Sequence, residues 1–186
     1  MARDGRPFNG PYEGEYLSRV AFPMGGIGAG MICLEGTGAL SHVSVRNAPQ
    51  VFNEPLMFAA ISFPGSDAGA RVLEGPVPMW KAFGQPGSGN GQGGKSWGLP
   101  RFAKARFETR FPFGTVTLED PKSPVSARIT GWSPFIPGNP DDSSLPVAAL
   151  EYELTNNSKK EVDAVFSFHT ANFMATRSGG DAVREG

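Results

Sequence analysis

Four closely spaced glycines, Gly25, Gly26, Gly28 and Gly30, lead directly into two short patterned segments, and residues 22–53 (FPMGGIGAGMICLEGTGALSHVSVRNAPQVFN) constrain the fold more than any other stretch. Residues 30–34 (GMICL) are apolar, and Glu35, Gly36, Thr37 and Gly38 supply a turn able to adopt positive φ. Leu40, His42 and Ser44 then alternate with Ser41, Val43 and Val45, which is the patterning of a β-hairpin. The glycines lack a Cβ, so the backbone there is free to bend sharply or to lie close against another backbone or a ligand.

A phosphate-binding loop is the obvious rival. A dinucleotide fingerprint needs glycines at its first, third and sixth positions, but counting from Gly26 the sixth is Met31 and counting from Gly28 it is Cys33. Strand and turn signals follow instead of a helical repeat, and no Gly-Lys-Ser/Thr appears for a P-loop. Close packing of strands is the favoured reading of these glycines.

The chain has 186 residues, enough for one domain with a real core. Its 17 basic and 18 acidic residues nearly cancel, and no basic stripe with interleaved aromatics appears, which argues against a nucleic-acid partner. The 25 glycines and 17 prolines, with 14 phenylalanines to bury, favour a loop-rich β protein over a helical one. Cys33 is the single cysteine; it lies in an apolar strand and reads as a buried small hydrophobe. No leader peptide is legible at the N-terminus and no apolar run approaches the roughly 18 residues of a transmembrane segment. The expectation is a soluble chain carrying no address, with a cytoplasmic location favoured. The triplet Asn156-Asn157-Ser158 matches a glycosylation sequon and reads as a turn.

Along the chain, residues 56–63 (LMFAAISF) read as a strand buried on both faces, and residues 71–73 continue the sheet. Residues 84–98 (GQPGSGNGQGGKSWG) form a glycine-rich surface loop carrying Trp97. Residues 102–111 alternate Ala103, Ala105, Phe107 and Thr109 with Phe102 and a mostly charged set that faces solvent. Strands over 115–119, 125–130, 146–155 and 162–170 follow, with the polar residues 156–161 joining the last two as a hairpin. Eight to ten short strands and no long helix predict an all-β fold, an antiparallel β-sandwich. Residues 1–15 read as an N-terminal extension and 16–186 as the sandwich domain, truncated at its C-terminal end.

Candidate chemistry concentrates in residues 131–146 (GWSPFIPGNPDDSSLP), a connection stiffened by four prolines and carrying Trp132, Phe135, Asp141 and Asp142. Such a loop suits a sugar, a cation or a docking domain. Asp141 and Asp142 are adjacent and point apart in a turn or strand, which opposes their use as a glycosidase pair, and one of them serves to cap the turn at Ser143-Ser144. His42 and His169, the only histidines, lie in strand-like segments with no third ligand nearby, a weak case for zinc. No Gly-x-Ser-x-Gly elbow is present. Arg46 and Asn47 sit at a strand end, where contacts to a partner domain or substrate gather.

Taken in order, PMGGIGAGMICLEGTGALSHVSVRN, VFNEP, GWSPFIPGNPDDSSLPVAALEYELTN and FSFHTANFM resemble the N-terminal domain of glycoside hydrolase family 116, the family of the non-lysosomal glucosylceramidase (bile acid β-glucosidase) and bacterial β-glucosidase relatives. The resemblance extends from about residue 16 to residue 174. It implies a β-sandwich of the kind that precedes an (α/α)6 barrel. That barrel would supply the glutamate nucleophile and the aspartate acid/base of a retaining mechanism. No catalytic residue and no cofactor are then expected in these residues. The expected partner is the C-terminal (α/α)6 catalytic domain of the same polypeptide, and through it a β-glucoside or glycolipid substrate. Arg46, Asn47, Trp132, Asp141, Asp142 and Ser143 are the candidate barrel-docking or substrate-vicinity residues. Two other readings remain: a free-standing carbohydrate-binding module stacking sugars on Trp80, Trp97 or Trp132, and a complete small glycosidase using Asp141 or Asp142 with Glu151 or Glu153.

Overall fold

Residues 7–46, 48–50, 53–83 and 96–172 are described by a computed structural model, and strands dominate them. The order is β1 (Tyr12–Glu13), a 3-10 helix (Gly14–Arg19), β2 (Ala21–Met24), β3 (Met31–Glu35), β4 (Leu40–Ser44), β5 (Met57–Ser62), β6 (Ala70–Val72) and α1 (Met79–Phe83). Then come β7 (Lys104–Arg110), β8 (Phe113–Glu119), β9 (Val125–Trp132), α2 (Pro140–Ser143), β10 (Ala149–Asn156) and β11 (Val165–Thr170). No helix among the described residues is long and apolar enough to cross a membrane.

The strands form an antiparallel β-sandwich. One five-stranded sheet has the order β1-β7-β8-β9-β10, and two three-stranded sheets run β11-β5-β6 and β2-β3-β4. Alternation in β7, β8 and β9 turns Ala105, Phe107, Val116, Leu118, Ala127 and Ile129 inward, where they meet Met24, Leu34, Val43, Ala59 and Ile61 of the smaller sheets. The layers press closely at Gly131, where a Cβ would strike the Sδ of Met24 and the Cδ2 of Leu34. β1 pairs Tyr12 with Phe107, so the large sheet begins before residue 16.

Four local expectations change. Residues 156–161 are not a hairpin loop: β10 pairs with β9 while β11 pairs with β5, so the connection passes from one sheet to the other. β4 does not alternate strictly. His42 takes φ +52 and one extra residue is accommodated against β3, which buries both Leu40 and Ser41. β5 buries Met57, Ala59 and Ile61 on one face, and its other face is only half-buried. Phe102 is fully buried rather than part of the charged face, because it precedes β7 and its N–H bonds to the Glu74 carbonyl at 3.0 Å. Of residues 84–98, only 96–98 lie within the described residues.

Candidate functional site

The glycine turn and the proline-rich loop are parts of one structure. Between β2 and β3 the chain reverses with Gly25 at φ +135 and Gly30 at φ +125, conformations that side chains disfavour. Gly25 N–H donates to Ser133 Oγ at 2.6 Å, and Ile27 N–H donates to the Ser143 carbonyl at 2.9 Å. Gly26 lies so close that a Cβ would overlap the carbonyls of Ser144 and Leu145. The glycines therefore receive backbone rather than phosphate.

The loop is held from within by Ser143, which is buried. Its Oγ donates to the Asn139 carbonyl at 2.7 Å and accepts from Ile136 N–H at 3.0 Å. Asn139, not an aspartate, caps α2: its Oδ1 accepts from Asp142 N–H at 3.1 Å, and its Nδ2 donates to Asp142 Oδ2 at 2.6 Å. Pro140 occupies the first helical turn, where no N–H is needed. Asp141 and Asp142 are exposed in that turn, with the Asp141 carbonyl accepting from Ser144 Oγ at 3.1 Å.

Large apolar side chains cover the outside of this locked backbone. Phe111, beside the β7–β8 turn, is 66 % exposed and meets Phe135 edge-on with centroids 4.8 Å apart. Ile27, Phe113, Ile136, Leu145 and Val147 are also exposed. Trp132 ends β9, half-buried, with its backbone between Phe113 and Ala149. Arg46, exposed and at φ +58, follows β4, whose end lies beside the glycine turn because a Cβ on Gly30 would meet the Ser44 carbonyl at 2.8 Å. Asn47 lies outside the described residues. Trp132, Arg46, Asp141, Asp142 and Ser143 thus gather at one end of the sandwich, Ser143 from within the loop.

A second cluster, unforeseen from the sequence, lies at the other end of β3. Lys81 Nζ, on α1, is 2.6 Å from both Glu35 Oε1 and Glu54 Oε1, and Arg101 Nη2 is 3.0 Å from Glu74 Oε2. Burial works against the Lys81 ammonium, but Glu35 and Glu54 overcome it and hold the pKa above its ordinary value. Burial pushes Glu74 up against the opposing pull of Arg101. A cavity of about 30 Å³ beside these groups, also lined by Trp97, suits water rather than a sugar ring. Glu35 reads in sequence as a turn residue, and its partners are 19 and 46 positions away, so no local spacing announces the cluster.

The other candidates have local work. Trp80 Nε1 donates to the Ser18 carbonyl at 2.6 Å, and the Arg19 guanidinium lies 5.0 Å from its ring. His42 Nδ1 is 2.7 Å from Ser41 Oγ, and His169 stacks on Phe58 with centroids 4.8 Å apart. Among the described residues no three His, Cys, Asp or Glu side chains form a group able to hold a metal. Glu151 and Glu153 are exposed on β10, Glu153 opposite Arg128.

Comparison with known proteins gives one match of long extent. The family model described as "beta-glucosidase 2, glycosyl-hydrolase family 116 N-term" matches residues 21–185. No curated protein matches the chain.

Proposed function

Because the chain belongs to the N-terminal domain family of glycosyl-hydrolase family 116, we propose that it is the noncatalytic sandwich of a retaining β-glycosidase and that its loop end packs on the C-terminal (α/α)6 catalytic barrel. One observation carries the reading: the loop end combines a backbone fixed by Gly25, Ile27, Asn139 and Ser143 with an outer surface of exposed Phe111, Phe113, Phe135 and Ile136. Loops over water are ordinarily polar, and large exposed apolar side chains on a hydrogen-bonded loop support an interaction surface. Trp132, Arg46, Asp141 and Asp142, with Asn47 named from the sequence alone, are the residues this reading assigns to the vicinity of the barrel's substrate, a β-glucoside or glycolipid. Ser143 acts through the loop it holds. The domain supports the barrel and walls part of its active site without supplying a reacting group.

The test is to produce the barrel with and without this domain. Removal is expected to lower both thermal stability and turnover of an aryl β-glucoside; unchanged stability and turnover would overturn the proposal. The isolated chain is expected neither to turn over that substrate nor to bind glucosides in calorimetric titration, where a carbohydrate-binding module would show heat.

A further inference from the structure

We propose that Asn9-Gly10 is a site of spontaneous covalent modification, at which the chain converts its own Asn9 to isoaspartate and so loosens β1. The inference is independent of the loop end. Pro7, Phe8, Asn9 and Gly10 form a turn closed by Gly10 N–H donating to the Pro7 carbonyl at 2.9 Å. Asn9 is exposed and takes φ +58 at the third position, where a type II turn requires Gly or Asn. Position 10 is held to glycine by crowding, since a Cβ there would lie 3.1 Å from the Pro7 carbonyl oxygen and 3.2 Å from the Pro7 Cβ. The turn thus selects, side by side, the two residue types that react most readily with each other. Phe8 is 93 % exposed, so the pair stands in water.

Hydroxide removes the Gly10 amide proton, and the nitrogen attacks Asn9 Cγ. The N–Cγ bond forms and the Cγ–Nδ2 bond breaks; ammonia leaves, taking a proton from water and restoring hydroxide, and a succinimide remains. Water then opens the ring. Breaking N–Cγ gives aspartate, and breaking the bond between the Asn9 carbonyl carbon and the Gly10 nitrogen gives isoaspartate. Glycine matters because no Cβ blocks the attack. The other described asparagines lack that advantage: Glu54, Asn157, Ser158 and Phe173 follow Asn53, Asn156, Asn157 and Asn172, and Pro140 after Asn139 has no N–H to lose. Asn53 and Asn156 also hold Nδ2 in bonds of 2.8 Å to the carbonyls of Val43 and Lys160. Isoaspartate places one more carbon in the backbone than aspartate. The bond from Gly10 to Pro7 therefore loses its register just ahead of β1, which pairs with β7 through Tyr12 and Glu13.

The full 186-residue chain is incubated at neutral to mildly alkaline pH and mapped by peptide mass spectrometry. Residue 9 is expected to turn from amide to acid at a rate proportional to hydroxide, with isoaspartate the larger product. Mapping keeps Asn90, which also precedes a glycine but lies outside the described residues, separate from Asn9. Unfolding in urea frees the Gly10 N–H and should raise the rate several-fold. Asn9→Gln, whose ring would need a sixth member, should abolish the conversion. Freshly prepared Asn9→Asp carries the charge without the extra carbon and should keep native amide exchange in residues 12–13 and 106–107. The isoaspartyl chain should exchange there several-fold faster. An Asn9 that is still wholly an amide in the folded chain when the urea-unfolded chain has converted overturns the proposal, as does conversion of Asn53 or Asn156 ahead of it. So do acid formed without isoaspartate, or native exchange in the isoaspartyl chain.

Discussion

The two ends of β3 sit in opposite chemistries. At its start, the glycine turn and the proline-rich loop fix a backbone and then show apolar side chains to the outside. At its end, Glu35 enters a buried set of charges whose partners come from α1, from residue 54 and from the segment before β7. Each end breaks the usual partition, one by exposing phenylalanine and the other by burying lysine and glutamate. The buried charges pair with one another, Lys81 with Glu35 and Glu54 and Arg101 with Glu74, although Arg101 Nε is left without a hydrogen-bond partner. Among the described residues the exposed rings are covered only by one another, Phe111 against Phe135, which is the surface the proposed docking would cover.

The sharpest way to break this contrast is to remove one member from each end. Lys81→Met leaves Glu35 and Glu54 buried without their cation and should cost about 3–5 kcal/mol in a urea unfolding curve. Phe135→Ser, at the exposed end, should change the same curve by about 0.5 kcal/mol or less. Comparable losses would mean that the apolar end belongs to the domain's own core. Gly26→Ala comes next, because its methyl must displace the backbone at Ser144 and Leu145. An overpacking cost of about 1–3 kcal/mol is expected, with faster amide exchange in residues 133–145. A loss of stability without loosening of that loop would separate the turn from the loop.

pH distinguishes the ends more gently. Glu74 lies above its ordinary pKa through burial, so its contribution to stability is full below pH 4.5 and is lost as pH rises through the folded value. Lys81 contributes below pH 10.5 and loses that contribution above it. Burial, with the nearby Glu35 charge, pushes the Cys33 thiol up to about 11, so its contribution fades as pH climbs from 9.0 to about 11. Urea midpoints should therefore fall through that alkaline range, less steeply in Cys33→Ala. At pH 8 the folded chain should leave Cys33 unlabelled by iodoacetamide; rapid labelling would show that the core beside Glu35 opens.

Much of the exposed end was legible in the sequence. Gly25 to Gly30 predicted close backbone packing, and the prolines of residues 131–146 predicted a stiff loop, because both signals are local. Asn139-Pro140 followed by two aspartates also carried a helix-start signal that identifies Asn139 as the cap. The charged end was not legible, since nothing local marks Glu35, Glu54 and Lys81 as neighbours. The path from β10 to β11 escaped for another reason. Two alternating strands joined by a short polar loop have the same pattern whether they pair with each other or with different sheets, and only the register of β9 and β5 decides. His42 escaped because a bulge inverts alternation without a glycine to announce it.

The seating of Gly26 against Ser144 and Leu145 bears on how the chain is made. The turn leaves the ribosome more than a hundred residues before the carbonyls it rests on, an interval on the order of ten seconds at ordinary elongation rates. During that time β2, β3 and β4 exist without the surface that fixes their first turn. Nascent chains arrested before residue 144 should hold this turn open to protease, and chains arrested well past it should not. The last contact to close the loop end is thus set by the pace of translation rather than by the distance between the strands.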